Sequence, residues 1–263
     1  MIDYHVHTAR CGHADGAMID YLGQARKIGL RELGFADHLP LLAKDDPTLT
    51  MSLGELPGYV EAVKKLAGEV EGIAVKLGIE ADYLPGLEGE TAALLGSYDF
   101  DYVIGSIHFI EGWGFDDSRY LEGYTKKDLR TIYEEYFELV AQAAGSGMFD
   151  IIGHLDLVKK YGFRPETDIT DILEGSVSAI KEAGVCVEIN TAGLRKPAGE
   201  VYPSEAILAL CARAGVPITL GSDAHRPEEV GIDFDHALRL AVAAGYRRLA
   251  VYSKRERHYV DIP

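Results

Sequence analysis

Long apolar runs are missing from this chain. No stretch approaches the ~18–20 residues that a membrane-spanning helix needs, so no membrane association is expected. Cysteine is scarce: Cys11, Cys186 and Cys211 are an odd number at unrelated spacings. They build no disulfide framework and fit a reducing compartment. The start, Met1-Ile2-Asp3-Tyr4-His5, lacks the basic-then-apolar pattern of a secretory signal, and a cytoplasmic location is expected. No low-complexity segment or Pro/Gly/Ser linker divides the sequence, which reads as a single domain over residues 1–263. Positive charge is also in short supply, with 26 Lys and Arg against 42 Asp and Glu, a formal net charge of -16. Such a surface repels phosphate backbones, and nucleic acid is not an expected partner. A small anionic substrate would need local positive charge, from metal ions or a few basic side chains.

What is present is a repeated local pattern. A helical stretch ends near a glycine, and a short apolar run follows. It occurs at Ile28-Gly29 before Leu33-Gly34-Phe35-Ala36 and at Ala144-Gly145 before Phe149-Asp150-Ile151-Ile152. It returns at Ala183-Gly184, Ala214-Gly215 and Ala244-Gly245. Glycine takes the left-handed conformation of a helix C-cap without penalty. Continuous apolar runs between helices fit parallel strands buried on both faces. The pattern predicts strands near 2–6, 32–37, 73–80, 101–107, 149–153, 185–190 and 217–222, with a further run near 248–252. Helices are predicted near 18–28, 55–70, 88–96, 125–146, 170–184, 203–214 and 234–244. This alternation predicts an α/β fold, a closed TIM-barrel-like (β/α) barrel of seven or eight units. An open doubly wound sheet would give the same local pattern, but no Gly-rich nucleotide-binding fingerprint follows the first strand.

The histidines fall on this map unevenly. Of nine in the chain, seven lie at or just after predicted strand ends: His5, His7, His13, His38, His108, His154 and His225. Glu80 and Asp223 lie there too. In an α/β barrel those ends form one rim, where active sites sit. His5-x-His7 on a strand points both imidazoles the same way. Asp223-x-His225 has the same spacing. Imidazole with carboxylate suits Zn, Mn or Fe(II), and seven histidines with two acids exceed what one ion needs. A carboxylate such as Glu80 could bridge two ions. His236, on a helix, and His258, near the C-terminus, are off the rim and read as ordinary hydrogen-bonding residues. Cys11, close to His13, is an alternative soft ligand.

These residues resemble the polymerase-and-histidinol-phosphatase (PHP) family, and its histidinol-phosphatase branch in particular. The motifs are Asp3-Tyr4-His5-Val6-His7-Thr8, Cys11-Gly12-His13, Gly34-Phe35-Ala36-Asp37-His38 and Gly78-Ile79-Glu80-Ala81-Asp82-Tyr83. They continue with Gly105-Ser106-Ile107-His108-Phe109, Gly153-His154-Leu155-Asp156, the run from Glu188 to Lys196, and Gly221-Ser222-Asp223-Ala224-His225. The resemblance implies a distorted (β/α)7 barrel and two or three divalent metal ions. It implies one ion on His5, His7, Glu80 and Asp223, a second on Glu80, His108 and His154, and a third on His13, His38 and His225. The implied activity is hydrolysis of a small phosphate monoester, with L-histidinol phosphate the leading substrate.

For the chemistry, water activated by the metals attacks phosphorus. Arg195 holds phosphate oxygens, and Asp223 and His225 are the candidates for moving protons. Lys159, Lys160 and Arg164 are further phosphate candidates, of which only one or two can point inward. Asn190 could hydrogen-bond substrate or cap a turn. Glu188 fills the barrel or enters the site, depending on strand register. The substrate's ammonium could pair with Asp82, Glu111, Asp116 or Asp117, and its ring could stack on Trp113, Phe109 or Phe115. The same aromatic loop could equally be a flap that excludes water. Two other functions remain open on these residues. One is a PHP phosphoesterase acting on nucleotides or nucleic-acid ends, and the other is a metal-binding domain without chemistry.

Overall fold

The computed structural model describes residues 1–44 and 46–263. In chain order the strands are β1 Ile2–Val6, β2 Glu32–Phe35, β3 Ala74–Asp82, β4 Tyr102–Ser106, β5 Phe109–Ile110, β6 Trp113–Gly114, β7 Ile151–Ile152, β8 Cys186–Asn190, β9 Ile218–Gly221, β10 Arg248–Ser253 and β11 Glu256–Asp261. The helices are α1 Met18–Lys27, α2 Leu56–Glu69, α3 Glu88–Leu95, α4 Leu129–Gly145, α5 Thr170–Ala183, α6 Glu205–Ala214 and α7 Phe234–Ala244. Seven strands pair in the order β1-β2-β3-β4-β7-β8-β9, every pairing parallel. A parallel bridge between Val6 and Ala224 brings the first and last strands together at the rim. It is held by His7 N–H to Ala224 O at 2.9 Å and Ala224 N–H to His5 O at 3.2 Å.

The seven-unit barrel was legible, but its closure corrects one expectation. The apolar run near 248–252 is a strand, yet not an eighth stave. It forms an antiparallel hairpin with β11 and lies over the seam. Thr219 Oγ1 donates to Ala250 O at 3.0 Å, and Tyr252 N–H donates to the Tyr4 hydroxyl at 3.1 Å. The helices cover the outer face through apolar stripes. On α4 the buried set Ile132, Tyr133, Tyr136, Phe137 and Val140 recurs at helical spacing. Each such side chain contributes roughly 1.5–3 kcal/mol of burial. This helix starts at Leu129 rather than 125, because Asp128 accepts from Arg130 N–H and caps it, while Ser118–Thr125 forms a 3-10 segment. Gly184 and Gly215 occupy the predicted left-handed caps, at φ 72° and 71°.

The barrel floor is aromatic. Tyr102 lies across Gly34 and Gly78, stacks on Tyr4 with centroids 4.7 Å apart, and donates its hydroxyl to Tyr4 O at 2.6 Å. Tyr59 of α2 donates to Phe35 O and Gly78 O at 2.9 and 2.8 Å, tying the helix to two staves. Above this floor the strand ends carry polar residues.

Candidate metal centre

β1 delivers two histidines because its pairing with β2 shifts register between Asp3 and Val6. Tyr4 contacts the floor, while the next residue, His5, meets Glu80 and Glu188. Asp3 does not join them. It accepts from Ser222 N–H at 2.9 Å, Ser222 Oγ at 2.5 Å and Gly231 N–H at 3.0 Å. Burial pushes its pKa up to about 6 against those hydrogen bonds. It thereby ties β1 to the segment that carries Asp223 and His225.

Glu80, on β3, is the hub. Its Oε2 lies 3.3 Å from His5 Nε2, 3.6 Å from His7 Nε2 and 3.1 Å from His38 Nδ1. Its Oε1 accepts from Ser106 Oγ at 2.6 Å and lies 3.0 Å from His154 Nε2 and 3.7 Å from His108 Nε2. One carboxylate thus faces two histidine sets with two different oxygens. Burial alone would raise its pKa, but His38, His5 and His154 hold it well below the carboxylate range. His7 Nε2 also lies 3.1 Å from Asp223 Oδ1. The buried atoms His5 Nε2 and Glu80 Oε2 have no hydrogen-bond partner although they face each other. With the His5 proton on Nδ1, these are two buried acceptors with no donor between them, which costs free energy, and a cation between them removes that cost. His5, His7 and Asp223 bring ligand atoms within 4.8 Å of one another, as do His5, Glu80 and His154. The donor set fits divalent ions that take imidazole and carboxylate.

A third group adjoins the first. The His7 and His225 rings stack at 4.1 Å, His13 and His225 at 4.8 Å, and His7 and His38 lie 4.6 Å apart. His7, His38 and His225 form one compact donor set, and His13 pairs with His225 and the buried Cys11 in another. The His13–His38 rings are 5.5 Å apart. Cys11 therefore sits where the alternative ligand was expected. Burial would raise its thiol, but hydrogen bonds with His13 and His7 bring it down to about 7.

Outer contacts orient the rings. His5 Nδ1 meets Glu188 Oε1 at 2.7 Å, and His108 Nδ1 meets Asp82 Oδ1 at 2.9 Å. His13 Nδ1 meets Cys11 O at 2.9 Å and His225 Nδ1 meets Asp223 O at 3.1 Å. Asp37 Oδ1 lies 3.6 Å from His7 Nδ1. The hydrogen bonds to His5, His108, His13 and His225 favour the tautomer that leaves Nε2 free for a metal, whereas the buried Nδ1 of His7 has no hydrogen-bond partner. Nothing in the residue pattern signals this second layer beyond the motifs that contain it. His154 and Asp223 have φ of 23° and 52°, a strained choice for residues with a side chain.

The centre opens into a cavity of about 1240 Å³. Arg195 lines it. Its Nη2 donates to Ser222 O at 2.8 Å, and its buried Nη1 has no partner. Lys160, Phe109, Trp113 and Asp116 also line it, with Lys160 Nζ bonded to Asp116 Oδ2 at 3.0 Å. Three other expected substrate residues are placed elsewhere. Lys159 is buried against Asp156 and Glu200, at 2.7 and 3.1 Å. Arg164 pairs with Glu200 at 2.5 Å. The Asn190 amide reaches Glu188 Oε2 at 3.1 Å and Asp223 Oδ2 at 3.4 Å, so it braces a carboxylate. Phe115 is fully buried rather than presented to the cavity. Among the other acids, Glu111 pairs with Lys127 and Asp117 with Arg119, while Asp82 holds His108. Lys44, Arg119 and Arg226 also reach the cavity. Loop packing decides which basic residues do so, and no local pattern carries that information.

Metal uptake should be linked to protons. Burial lowers the pKa of His5, but Glu188, Glu80 and Asp223 raise it well above the usual value; His7 is raised likewise by Asp223 and Asp37. A proton raised in this way stabilises the stripped protein below about pH 6.5 and is lost as pH rises through the folded-state value. Divalent ions must displace it. Calorimetric titration of chelator-stripped protein in buffers of different ionisation enthalpy is expected to report proton release, with affinity falling as pH drops from 8 to 6 (about the histidine range). Equal affinity across that range would contradict this.

Comparison with known proteins agrees with the geometry. The PHP-domain sequence profile matches residues 3–192. A "Probable histidinol-phosphatase" of Deinococcus radiodurans is 40% identical over 240 residues, covering 91% of this chain and 92% of that one. A "Histidinol-phosphatase" of Bacillus subtilis is 30% identical over 262 residues, covering 89% and 96%. The solved histidinol phosphate phosphatase of Lactococcus lactis, complexed with zinc, L-histidinol and phosphate, superposes with a TM-score of 0.82 at 25% identity, covering 98% of both chains.

Proposed function

This chain belongs to the PHP family, and from that premise we propose that it is a metal-dependent phosphatase converting L-histidinol phosphate to L-histidinol and phosphate. The observation that carries the reading is Glu80, whose two oxygens divide the surrounding imidazoles into two sets. The relatives named as histidinol-phosphatases align over most of this chain. The Lactococcus lactis enzyme holds both reaction products together with zinc.

Divalent ions, two or three of Zn, Mn or Fe, would supply an ionised water and polarise phosphate oxygens. His5, His7, Glu80 and Asp223 would hold one, His108 and His154 with Glu80 a second, and His13, His38 and His225 a third, with Cys11 beside it. The chain's own groups do the rest. Arg195, held through Ser222 O and with its buried Nη1 unpartnered, would hold a non-bridging phosphate oxygen. Lys160 adds positive charge and is held in place by Asp116. Asp223 is ionised: burial opposes this, but His5, His7 and His225 hold its pKa well below the usual range, so it is an anionic ligand and has no proton to donate. Asp116 is the acidic partner for the substrate's ammonium, and Trp113 and Phe109 flank its ring.

A phosphomonoester panel tests this. kcat/KM should be highest for L-histidinol phosphate and lower for nucleotides and 5′-phosphorylated oligonucleotides. Arg195→Ala should reduce kcat/KM for L-histidinol phosphate by about tenfold to a hundredfold, the worth of a charge-assisted hydrogen bond. Nucleotides turned over as well as L-histidinol phosphate would refute the substrate assignment.

A further inference from the structure

Glu188, on β8, lies three places from the hub's β3 in the strand order, almost wholly buried, and its two oxygens serve opposite ends of the centre. Oε1 accepts from His5 Nδ1 at 2.7 Å. Oε2 accepts the backbone N–H of His154 at 2.9 Å and Asn190 Nδ2 at 3.1 Å, and that same amide reaches Asp223 Oδ2 at 3.4 Å. His5 and Asp223 belong to one candidate ion site and His154 to the other. Two of the three residues so held, His154 and Asp223, have the positive φ noted above. A backbone kept in that conformation needs an outside contact to keep it there. The carboxylate is also closely packed: a Cβ on Gly221 would come within 1.8 Å of Oε1. The glycine at 221 leaves the space this side chain occupies.

Resting on the metal-dependent reading above, we propose that Glu188 is a positioning residue that couples the two ion sites, setting the tautomer of His5 and the backbone of His154 together. The coupling is separate from that of Glu80, which touches the ions' side of the rings. Glutamine is a sharp probe because it matches glutamate in shape and cannot satisfy both ends. If its oxygen faces His5, its NH2 opposes the His154 N–H and the Asn190 NH2, donor against donor. If its NH2 faces His5, Nδ1 must accept, and the ring proton moves to Nε2, the atom that faces Glu80.

The experiment is metal titration of stripped protein in metal-buffered zinc or manganese, read by bound-metal analysis rather than by turnover. Glu188→Gln is expected to weaken both of the two tightest ions, by about tenfold to a hundredfold, in addition to the stability that the buried donor-against-donor mismatch costs the stripped protein. Loss of stability in the stripped protein with unchanged metal affinity would make Glu188 a barrel filler and overturn the proposal. Weakening of one ion alone would overturn the coupling. A measurement on the unmutated protein guards against a variant that fails to fold: long-range 15N–1H spectra of the zinc-loaded enzyme should report His5 with its proton on Nδ1. A proton on Nε2 would refute the assignment. Because neither readout uses a substrate, failure of the phosphatase reading would leave these results standing and would be recognised separately.

Discussion

Glu80→Gln is expected to abolish most of the phosphatase activity, by about a thousandfold or more, and to lower the number of ions the protein retains. The argument is geometric before it is electrostatic. Both oxygens of Glu80 are committed, Oε2 to the side of His5, His7 and His38 and Oε1 to the side of His108 and His154. An amide has one oxygen, so whichever way it turns, one histidine set faces an NH2 group that cannot ligate a cation. The negative charge is lost as well. Ions held on both oxygens of Glu80 would supply several kcal/mol of transition-state stabilisation, and about 4 kcal/mol corresponds to a thousandfold in rate. The readouts are metal content after gel filtration, kcat on L-histidinol phosphate, and circular dichroism to show that the barrel is intact. A folded variant that retains the full complement of ions and a kcat within tenfold of wild type would remove Glu80 from the centre.

Much of this centre could be read before any coordinates, and the reason is the barrel. Parallel strands bury both faces, so their apolar runs stand out, and their ends share one rim wherever they fall in the chain. His5, Glu80, His154 and Asp223 are drawn together by that rule alone. What the rule does not contain is where a strand slips or a loop turns. Asp3 has the period-two spacing that would place it beside His5 and His7, but the register shift in β1 sends it to Ser222 and Gly231 instead. Lys159 and Arg164 follow a rim strand as Lys160 does, yet Glu200 and Asp156 collect the first two and only Lys160 reaches the cavity. The run at 248–252 has the composition of an eighth stave. The turn after it, with Lys254 and Arg255 at φ 51° and 65°, folds it into a hairpin with β11. Each of these outcomes depends on tertiary partners far away in sequence, which no window of residues contains.

The floor of the barrel should be as unforgiving as its rim, and it connects to the chemistry through the same strand. Gly78 lies two residues before Glu80 on β3. A Cβ there would come within 2.3 Å of Tyr102 Cζ, 2.5 Å of Cε2 and 2.6 Å of the hydroxyl. Tyr102 cannot step aside easily, since its ring stacks on Tyr4 and its hydroxyl is bonded to Tyr4 O. Gly78→Ala is therefore expected to cost about 3 kcal/mol of stability, at the upper end of overpacking, measured by urea unfolding of the metal-loaded protein. If β3 yields instead of Tyr102, Glu80 moves with it and metal affinity falls in step with stability. A double-mutant cycle identifies the cause. Tyr102→Leu alone opens a cavity and destabilises. On that background Gly78→Ala should cost less than about 1 kcal/mol, leaving a coupling of about 2 kcal/mol between the two positions, within the range found for residues in contact. Tyr102→Phe should give no such relief, because it removes only the hydroxyl and leaves Cζ and Cε2 in the way. If Gly78→Ala cost the same on the leucine and tyrosine backgrounds, the penalty would lie in the backbone of β3 rather than in the ring beneath the metal centre.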